Sequence, residues 1–576
     1  MHILFSKNDV NFDGFNNSFF RLEKIPPGDY DADIDQRIHE FLKSNKNTEI
    51  KSFTLPISFS GNYMEFSGLI FSLHLRLTRD LSFCNVPIIF YGTLELEQVL
   101  RLTTLSNILI TKNVRYVNLQ NASFEDIKEH IMQYKNKDFN LNEFINQIKL
   151  NPPSNYDSHH NTDNEFALIQ WSKHINCFDK IPQNFKREFE SQLYLKYLNA
   201  SNPLPVDIEK NDYFVSNTAD INLLLIDDEA EKGWKIFYSS LFANSKINFI
   251  DSGIEFKKED KNVIIHKAEK IIKEKKPNVI LLDLRLHDSD FSKSTSSEDL
   301  TGIKILEKIK EINKGIQVVI TTASNKAWNF NLAKQKGAYD FIIKDGLEDP
   351  NSSIQNFTKK IESAIKKSLF SITIYEKLLF SLKNWRKYNI PKRKNIADVF
   401  HDPLWHINLK NQVFDFINNA FDTINNDTIP ERFTMSILLI YRVIEMVNEF
   451  YIIESGDSRK GSTKYYFDQD NKNLPKIIFE KNKYSLINQI KAGESLSTKE
   501  KSYAIYNKNN NNLNLLLFNK LHQLTEYRNK VAIHPKKRFK EESLENIYEK
   551  DFYRFNLTLN NYFSAVLEYV DSFKNK

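Results

Sequence analysis

The sequence predicts a multidomain chain in which parallel α/β sheet domains come first and an all-helical domain comes last. Three observations predict it. Short apolar runs, several ending in polar residues, recur through the first 370 positions: HILF (2–5), VPIIFYG (86–92), NILIT (107–111), INLLLIDDE, NVILLDLRL, QVVITTAS and YDFIIKDG. Runs of this length read as buried strands, and helical stretches between them give the alternation of a parallel sheet. Beyond about residue 370 the period turns helical, as at Ile437, Ile440, Tyr441, Ile444 and Val447. Finally, 576 residues exceed what one hydrophobic core organises. The expected division is 1–150 α/β, 151–220 a helical connector and linker, 221–370 a second α/β domain, and 371–576 helical.

Composition narrows the function classes. Hydrophobic residues make up 41% and charged residues 27%, which is globular rather than disordered. The net charge of +5 is small for this length, so nucleic-acid contact requires a local basic patch. Two cysteines, Cys84 and Cys177, fit a reducing compartment and hence the cytoplasm. MHILFSKNDVNFDGF does not read as a signal peptide. The longest apolar runs, such as MSILLIY (435–441), fall far short of the ~20 residues of a membrane span.

The second α/β segment carries the sharpest chemistry. INLLLIDDE ends in Asp227 and Asp228, NVILLDLRL ends at Asp283, QVVITTAS ends at Thr322, and YDFIIKDG ends at Lys344. In an open parallel sheet these C-terminal strand ends share one crevice, where ligands bind. Three carboxylates gathered there repel one another and call for a cation. Mg²⁺ suits them as a hard ion that takes oxygen ligands and keeps waters. Cation and Lys344 together would neutralise a phosphoryl group moving onto a carboxylate, with Thr322 hydrogen-bonding one of its oxygens.

This segment resembles a response-regulator receiver domain, of flavodoxin-like fold. The resemblance implies that Asp227 and Asp228 are the metal-binding acid pair and that Asp283 is the phosphoacceptor and a metal ligand. It makes Thr322 the switch hydroxyl, Lys344 the phosphate-binding lysine and Phe341 the switch aromatic. It also implies that the backbone carbonyl of Arg285 completes the metal site, and that an upstream histidine kinase or other phosphodonor supplies the phosphoryl group. Two features depart from the family. Asp345 stands where a proline usually follows the lysine, and HDSDFSKSTSSEDLTG lengthens the loop after Asp283, as a solvated loop, a lid or a partner contact.

In the first α/β segment, FSGLIFSLHLRLTRDLSFCNVPIIFYG resembles the receiver stretch from third helix to fourth strand. Ser6, Lys7 and Asn8 follow HILF in place of an acid pair, and TLPISFSGNY offers no phosphoacceptor. A degenerate receiver and an unrelated α/β domain both fit. Between the two, NPPSNYDSHHN reads as a polar turn, followed by helices near 164–177 and 184–199. Its Tyr156, Asp157, His159 and His160 lack recurring metal-ligand spacing. The Trp171 helix reads as packing between domains.

Near the C-terminus, LFNKLHQLTEYRNKVAIHPKKRF (517–539) has helical spacing ended by Pro535. Arg528 and His534 stand six apart with Asn529 between them, followed by Lys536, Lys537, Arg538 and Lys540. RNKVAIH resembles the motif of the HEPN superfamily of helical domains, and the domain also resembles the C-terminal domains of ancillary ribonucleases in type III CRISPR systems. ILLIYRVIEMVNEFY resembles the preceding long helix. The resemblance implies a metal-independent endoribonuclease in which His534 transfers protons and Arg528 holds the phosphate, with Asn529 in the motif, acting on RNA as a homodimer. The expectation is a phosphorylation-regulated signalling protein that cleaves RNA, in phage defence or stress response. The alternative is a non-catalytic response-regulator adaptor whose helical domain binds a protein or RNA.

Overall fold

In the computed structural model, the described residues are 1–5, 20–23, 30–60, 62–121, 124–134, 138–152, 156–203, 220–292, 294–323, 327–388, 405–455, 464–468, 472–481, 483–487, 490–491, 494–510, 513–532 and 542–573. Two five-stranded parallel sheets lie in the first 343 residues. One contains β1 (His2–Phe5), β2 (Phe20–Glu23), β3 (Ser52–Pro56), β4 (Ile88–Gly92) and β5 (Val114–Asn118), in the order β2-β1-β3-β4-β5. The other contains β6 (Ile221–Ile226), β7 (Ile247–Asp251), β8 (Val279–Leu282), β9 (Gln317–Thr322) and β10 (Asp340–Ile343), in the matching order β7-β6-β8-β9-β10. This is the doubly wound, flavodoxin-like order 2-1-3-4-5, whose switch point lies between the first and third strands. The expected fold class, flavodoxin-like parallel-sheet domains followed by a helical domain, is the one observed.

The strand sequences explain the layers. A parallel strand covered on both faces is apolar at every position, because alternate side chains enter opposite cores. Val279 and Leu281 of β8 join a core with Trp234, Phe237 and Phe357. Ile280 and Leu282 join another with Ile264, Ile303 and Ile309.

NILIT is not a strand. It lies in a 3-10 segment, Thr104–Ile110, opened by the Thr103 side chain accepting from the Leu105 backbone N–H. The neighbours Ile108 and Leu109 are both buried while Ile110 is exposed, a one-sided pattern that alternation cannot produce. The fifth strand forms a few residues later, at β5. The stretch read as a polar turn before 164 is also corrected: the connector's first helix spans Tyr156–His174, and the second stretch divides into Gln183–Ser191 and Leu193–Ser201. The side chains of residues 156–161, with their histidine pair, lie outside the described residues, as does most of the expected linker at 201–220.

One helix, Pro350–Lys387, joins the second sheet to the helical region. It starts at Asp349, whose carboxylate accepts from Ser352 N–H, and has Pro350 in its first turn, where the missing N–H costs nothing. Its 38 residues span about 57 Å. Ile354, Phe357, Ile361 and Ile365 enter the sheet's core. Phe370, Ile374, Leu378 and Trp385 enter the helical core. The helical region gathers Trp405–Asn425, Arg432–Tyr451, Thr498–Asn510, Leu515–Tyr527, Leu544–Lys550 and Phe552–Asp571. It is not purely helical. Two short antiparallel pairs, Ile452–Ser455 with Lys464–Phe467 and Lys476–Glu480 with Lys483–Ile487, pack beside it. No helix among the described residues is long and apolar enough to cross a membrane.

Candidate functional site

The second sheet brings its expected site residues together. Asp227 directly follows β6, Asp283 follows β8, Thr322 ends β9 and Lys344 follows β10. The Lys344 ammonium, fully buried, donates to Asp227 Oδ2 at 2.7 Å and lies 3.5 Å from Asp283 Oδ2. It also sits 4.7 Å from the centre of the Trp234 ring. Backbone donors fix the carboxylates, with Glu229 N–H on Asp227 Oδ1 at 2.9 Å and Arg285 N–H on Asp283 Oδ1 at 3.2 Å. Asp227, Asp228 and Asp283 each present an oxygen within 4.8 Å of the others.

The charges do not balance. Burial pushes the Asp283 carboxyl up to about 7, Lys344 opposes the rise, and Asp227 adds to it. Burial, then Asp283 and Asp227, hold Asp228 well above the usual carboxylate range. Burial by itself would lower Lys344, but Asp227 and Asp283 outweigh it and keep it firmly cationic. One ammonium among three acids leaves excess negative charge in a partly desolvated crevice, an all-oxygen donor set that fits a hard divalent cation such as Mg²⁺.

The surroundings are specific. Gly302 approaches so closely that an added Cβ would stand 2.2 Å from the Asp283 carbonyl oxygen and 2.7 Å from Leu284 Cα. Phe341 stacks flat on Phe330, with ring centres 3.9 Å apart. The lengthened loop is largely exposed, yet it is anchored. It folds around Asp290, which is 2% exposed and accepts from the backbone N–H groups of Leu286, His287 and Thr301 and from Lys261 Nζ.

Sequence reasoning missed the connector's share. From the helix Tyr156–His174, Trp171 donates its indole N–H to the Asp345 carbonyl at 3.1 Å, the position after Lys344. Asn164 donates to Glu229, and Lys232 bridges Glu229 and Glu165 at 3.0 Å each. A Cβ on Gly346 would stand 2.8 Å from Ala167 N. The only sequence signal was the apolar run FALIQW, which says that a face is buried but not against what.

Strand register carries the same frame onto the first sheet. Gly302 N–H donates to Leu284 O, and Gly68 N–H donates to Ile57 O, both at 3.0 Å. A Cβ on Gly68 would strike the Pro56 carbonyl oxygen as one on Gly302 would strike that of Asp283. Pro56 therefore occupies the place of Asp283. Lys344 N–H donates to Thr322 O and Leu119 N–H donates to Gly92 O, both at 2.8 Å, so Gly92 replaces the hydroxyl and Leu119 the lysine. Tyr116 stands in the place of Phe341, and its hydroxyl lies 2.7 Å from where a Gly92 Cβ would be. Ser6, Lys7 and Asn8 lie outside the described residues.

In the helical region, Arg528 leaves the helix Leu515–Tyr527 at a π-helical turn, Arg528–Ala532. Its guanidinium pairs with Glu445 at 2.9 Å, donates to Asn529 Oδ1 at 3.0 Å and lies 4.9 Å from the Tyr441 ring centre. Glu445 also meets Arg442 at 3.2 Å. The partner of Arg528 is thus a carboxylate distant in sequence, rather than the nearby Glu526. His534 and the basic residues 536–540 lie outside the described residues.

Comparison with known proteins agrees with the first sheet. Residues 6–117 match the family model described as Inactive Receiver domain. No curated protein matches the chain. Similar solved structures include the signal receiver domain of a modulated diguanylate cyclase from Desulfovibrio desulfuricans G20, described as an example of alternate folding, at 13% identity, covering 26% of this chain and 95% of that one, with a TM-score of 0.18. NtrX from Brucella abortus matches at 18% identity over 35% of this chain and 34% of its own, with a TM-score of 0.19.

Proposed function

We propose that the chain is a two-receiver signalling protein in which Asp283 accepts a phosphoryl group and the first receiver is chemically silent. The observation that carries this reading is the cluster of Asp227, Asp228 and Asp283 around Lys344. The Asp283 carboxylate attacks the phosphorus of a phosphodonor, the donor's leaving group departs, and an acyl phosphate forms on the carboxylate. Lys344 offsets charge on the phosphoryl oxygens, and Thr322 is placed at the strand end to donate to one of them. Bound Mg²⁺, held by Asp227, Asp228 and Asp283 with the Arg285 carbonyl, would supply further charge neutralisation. Phe341 is the aromatic poised to respond. Pro56, Gly92 and Leu119 remove acceptor, hydroxyl and ammonium from the first receiver, leaving it packing or dimerisation.

The output we propose is metal-independent RNA cleavage by a HEPN-like homodimer, with His534 as proton-transfer group and Arg528 and Asn529 at the scissile phosphate. The observation that supports it is the π-helical turn Arg528–Ala532, because such turns often mark functional sites. The test combines two readouts on the full chain. A small phosphodonor with Mg²⁺ should label Asp283, and Asp283→Asn should abolish the label. Single-stranded RNA should be cut in EDTA to 2′,3′-cyclic phosphate ends, with a loss of about 10²–10⁴ in His534→Ala. Labelling elsewhere would overturn the first reading. Inertness towards RNA with and without phosphodonor, while Asp283 is labelled, would replace the ribonuclease by an adaptor.

A further inference from the structure

A second charged site lies at the opposite end of the same sheet, at the N-terminal ends of β9 and β10, where the receiver meets the helical region. A cavity of about 510 Å³ opens there, lined by five lysines: Lys310, Lys314, Lys334, Lys336 and Lys367. Two walls belong to the receiver, the turn after the helix Thr301–Ile312 and the turn before β10. The third belongs to the helical region, through the end of the helix Trp405–Asn425 and the turn that follows.

The carboxylates present neutralise these cations only in part. Asp427 is shared between Lys367, at 3.0 Å, and Arg432. Asp422 reaches Lys314 only at 3.8 Å. Lys336 pairs with Glu307 at 2.6 Å. Lys310 spends its ammonium on the Ile316 carbonyl at 2.6 Å, and its stem lies 3.2 Å from where a Gly337 Cβ would be. Lys367 is 6% exposed and lies 5.0 Å from the Tyr339 ring centre. Burial, with Lys367 and Lys314 adding, pushes the Lys310 ammonium down to about 7. Burial, with Arg432 and Lys334 adding, pushes Lys367 down to about 7. Both amines sit in a desolvated wall that lowers their charge, and an anion bound beside them would restore it.

We propose that this cavity binds a small, multiply charged phosphate compound, bridging the receiver's Lys310, Lys314 and Lys334 to Lys367 of the joining helix. A volume of this size takes a small-molecule ligand, and clustered ammonium groups complement phosphate oxygens through charge-assisted hydrogen bonds. The ligand would tie receiver to helical region from the side away from Asp283. The proposal uses neither the phosphoacceptor nor the ribonuclease reading.

The test is calorimetric titration of the full chain at pH 8 in EDTA, which removes any cation from the aspartate crevice. Inorganic pyrophosphate, ATP and AMP are compared with sulfate, in two buffers of different ionisation enthalpy. The expected result is saturable binding of pyrophosphate or ATP, tighter than sulfate, with proton uptake as the bound anion returns protons to Lys310 and Lys367. Pyrophosphate and ATP binding alike assigns the site to the phosphate chain, and ATP alone assigns it to a nucleotide. Lys314 and Lys334 are exposed, so the Lys314→Ala/Lys334→Ala variant should keep the wild-type melting temperature while losing about tenfold or more in affinity. Asp283→Asn should bind as wild type does. No binding beyond that of sulfate, unchanged affinity in the double lysine variant, or binding without proton uptake would overturn the proposal.

Discussion

At the scale of single residues, Asp283 is held at a cost to the fold. Its carboxyl is pushed up to about 7, burial first, whereas an unfolded-chain aspartate titrates near ~4. Between those values the folded protein keeps a proton that the unfolded chain has released. Stability therefore falls as pH rises from about 4 to 7 and levels off above. Asp283→Asn removes this slope. In EDTA at pH 8 the variant should melt above wild type, by an amount of order 1 kcal/mol in stability or a few degrees. The gap should close as the pH falls towards 4, and Mg²⁺ should narrow it at pH 8 by stabilising wild type more than the variant, which keeps Asp227 and Asp228 but loses one charged ligand. Thermal melts across that pH range check this; a variant that melts below wild type at pH 8 in EDTA would contradict it. Glu445 offers a second test. Glu445→Gln removes the charge that holds Arg528 at 2.9 Å but keeps the side chain's length. Because the pair is partly exposed, stability should change by no more than ~1 kcal/mol. Any RNA cleavage should fall at least as far as in Arg528→Lys, measured at equal folded fraction.

At the scale of elements, the site depends on how the helix after β8 docks. Gly302, its second residue, lets the helix Thr301–Ile312 begin against the Asp283 carbonyl. Gly302→Ala would force a Cβ to 2.2 Å from that oxygen and 2.7 Å from Leu284 Cα, both backbone atoms with little freedom to yield. Overpacking of this kind costs about 1–3 kcal/mol, and phosphodonor labelling of Asp283 should fall while the helical region's stability is unchanged. Denaturant melts and labelling by mass spectrometry read the two effects. The strand ends were legible in the sequence because a doubly covered strand is a continuous apolar run, and Asp227, Asp283 and Lys344 are each the first polar residue after one, while Thr322 is the second of the two threonines that end β9. Packing of the Trp171 helix between domains was legible, but not the particular groups it meets, Asp345 and Glu229, since an apolar face records burial and not its partner. The 3-10 segment around Ile108 was misread because a short apolar run has no period of its own. Glu445 stayed hidden because it lies 83 residues from Arg528, and only the fold brings them together.

At the scale of the whole molecule, the helix Pro350–Lys387 is the continuous element shared by the second sheet's core and the helical core. Ile365 faces the receiver core and Phe370 the helical one, so the join lies between them. Gly315 reinforces it: its carbonyl accepts from Ser371 Oγ at 2.8 Å, and a Cβ there would stand 2.4 Å from the Ser371 carbonyl carbon. A rotation of the second sheet's domain at this close contact is expected to move the helical region with it. Lys366 is exposed and belongs to neither core, which makes it the place to cut the coupling. Lys366→Pro removes one backbone hydrogen bond and sets the proline ring against the carbonyl of Glu362, at a cost of about 3 kcal/mol to the helix. Asp283, at the far end of the sheet, should still accept a phosphoryl group. In wild type, phosphodonor and Mg²⁺ should change amide hydrogen exchange both around Thr322–Phe341 and in the helix Arg432–Tyr451. In Lys366→Pro the first change should persist and the second should vanish. Persistence of both would mean that the signal bypasses the helix, and loss of both with Asp283 still labelled would mean that the receiver itself needs the intact helix to switch.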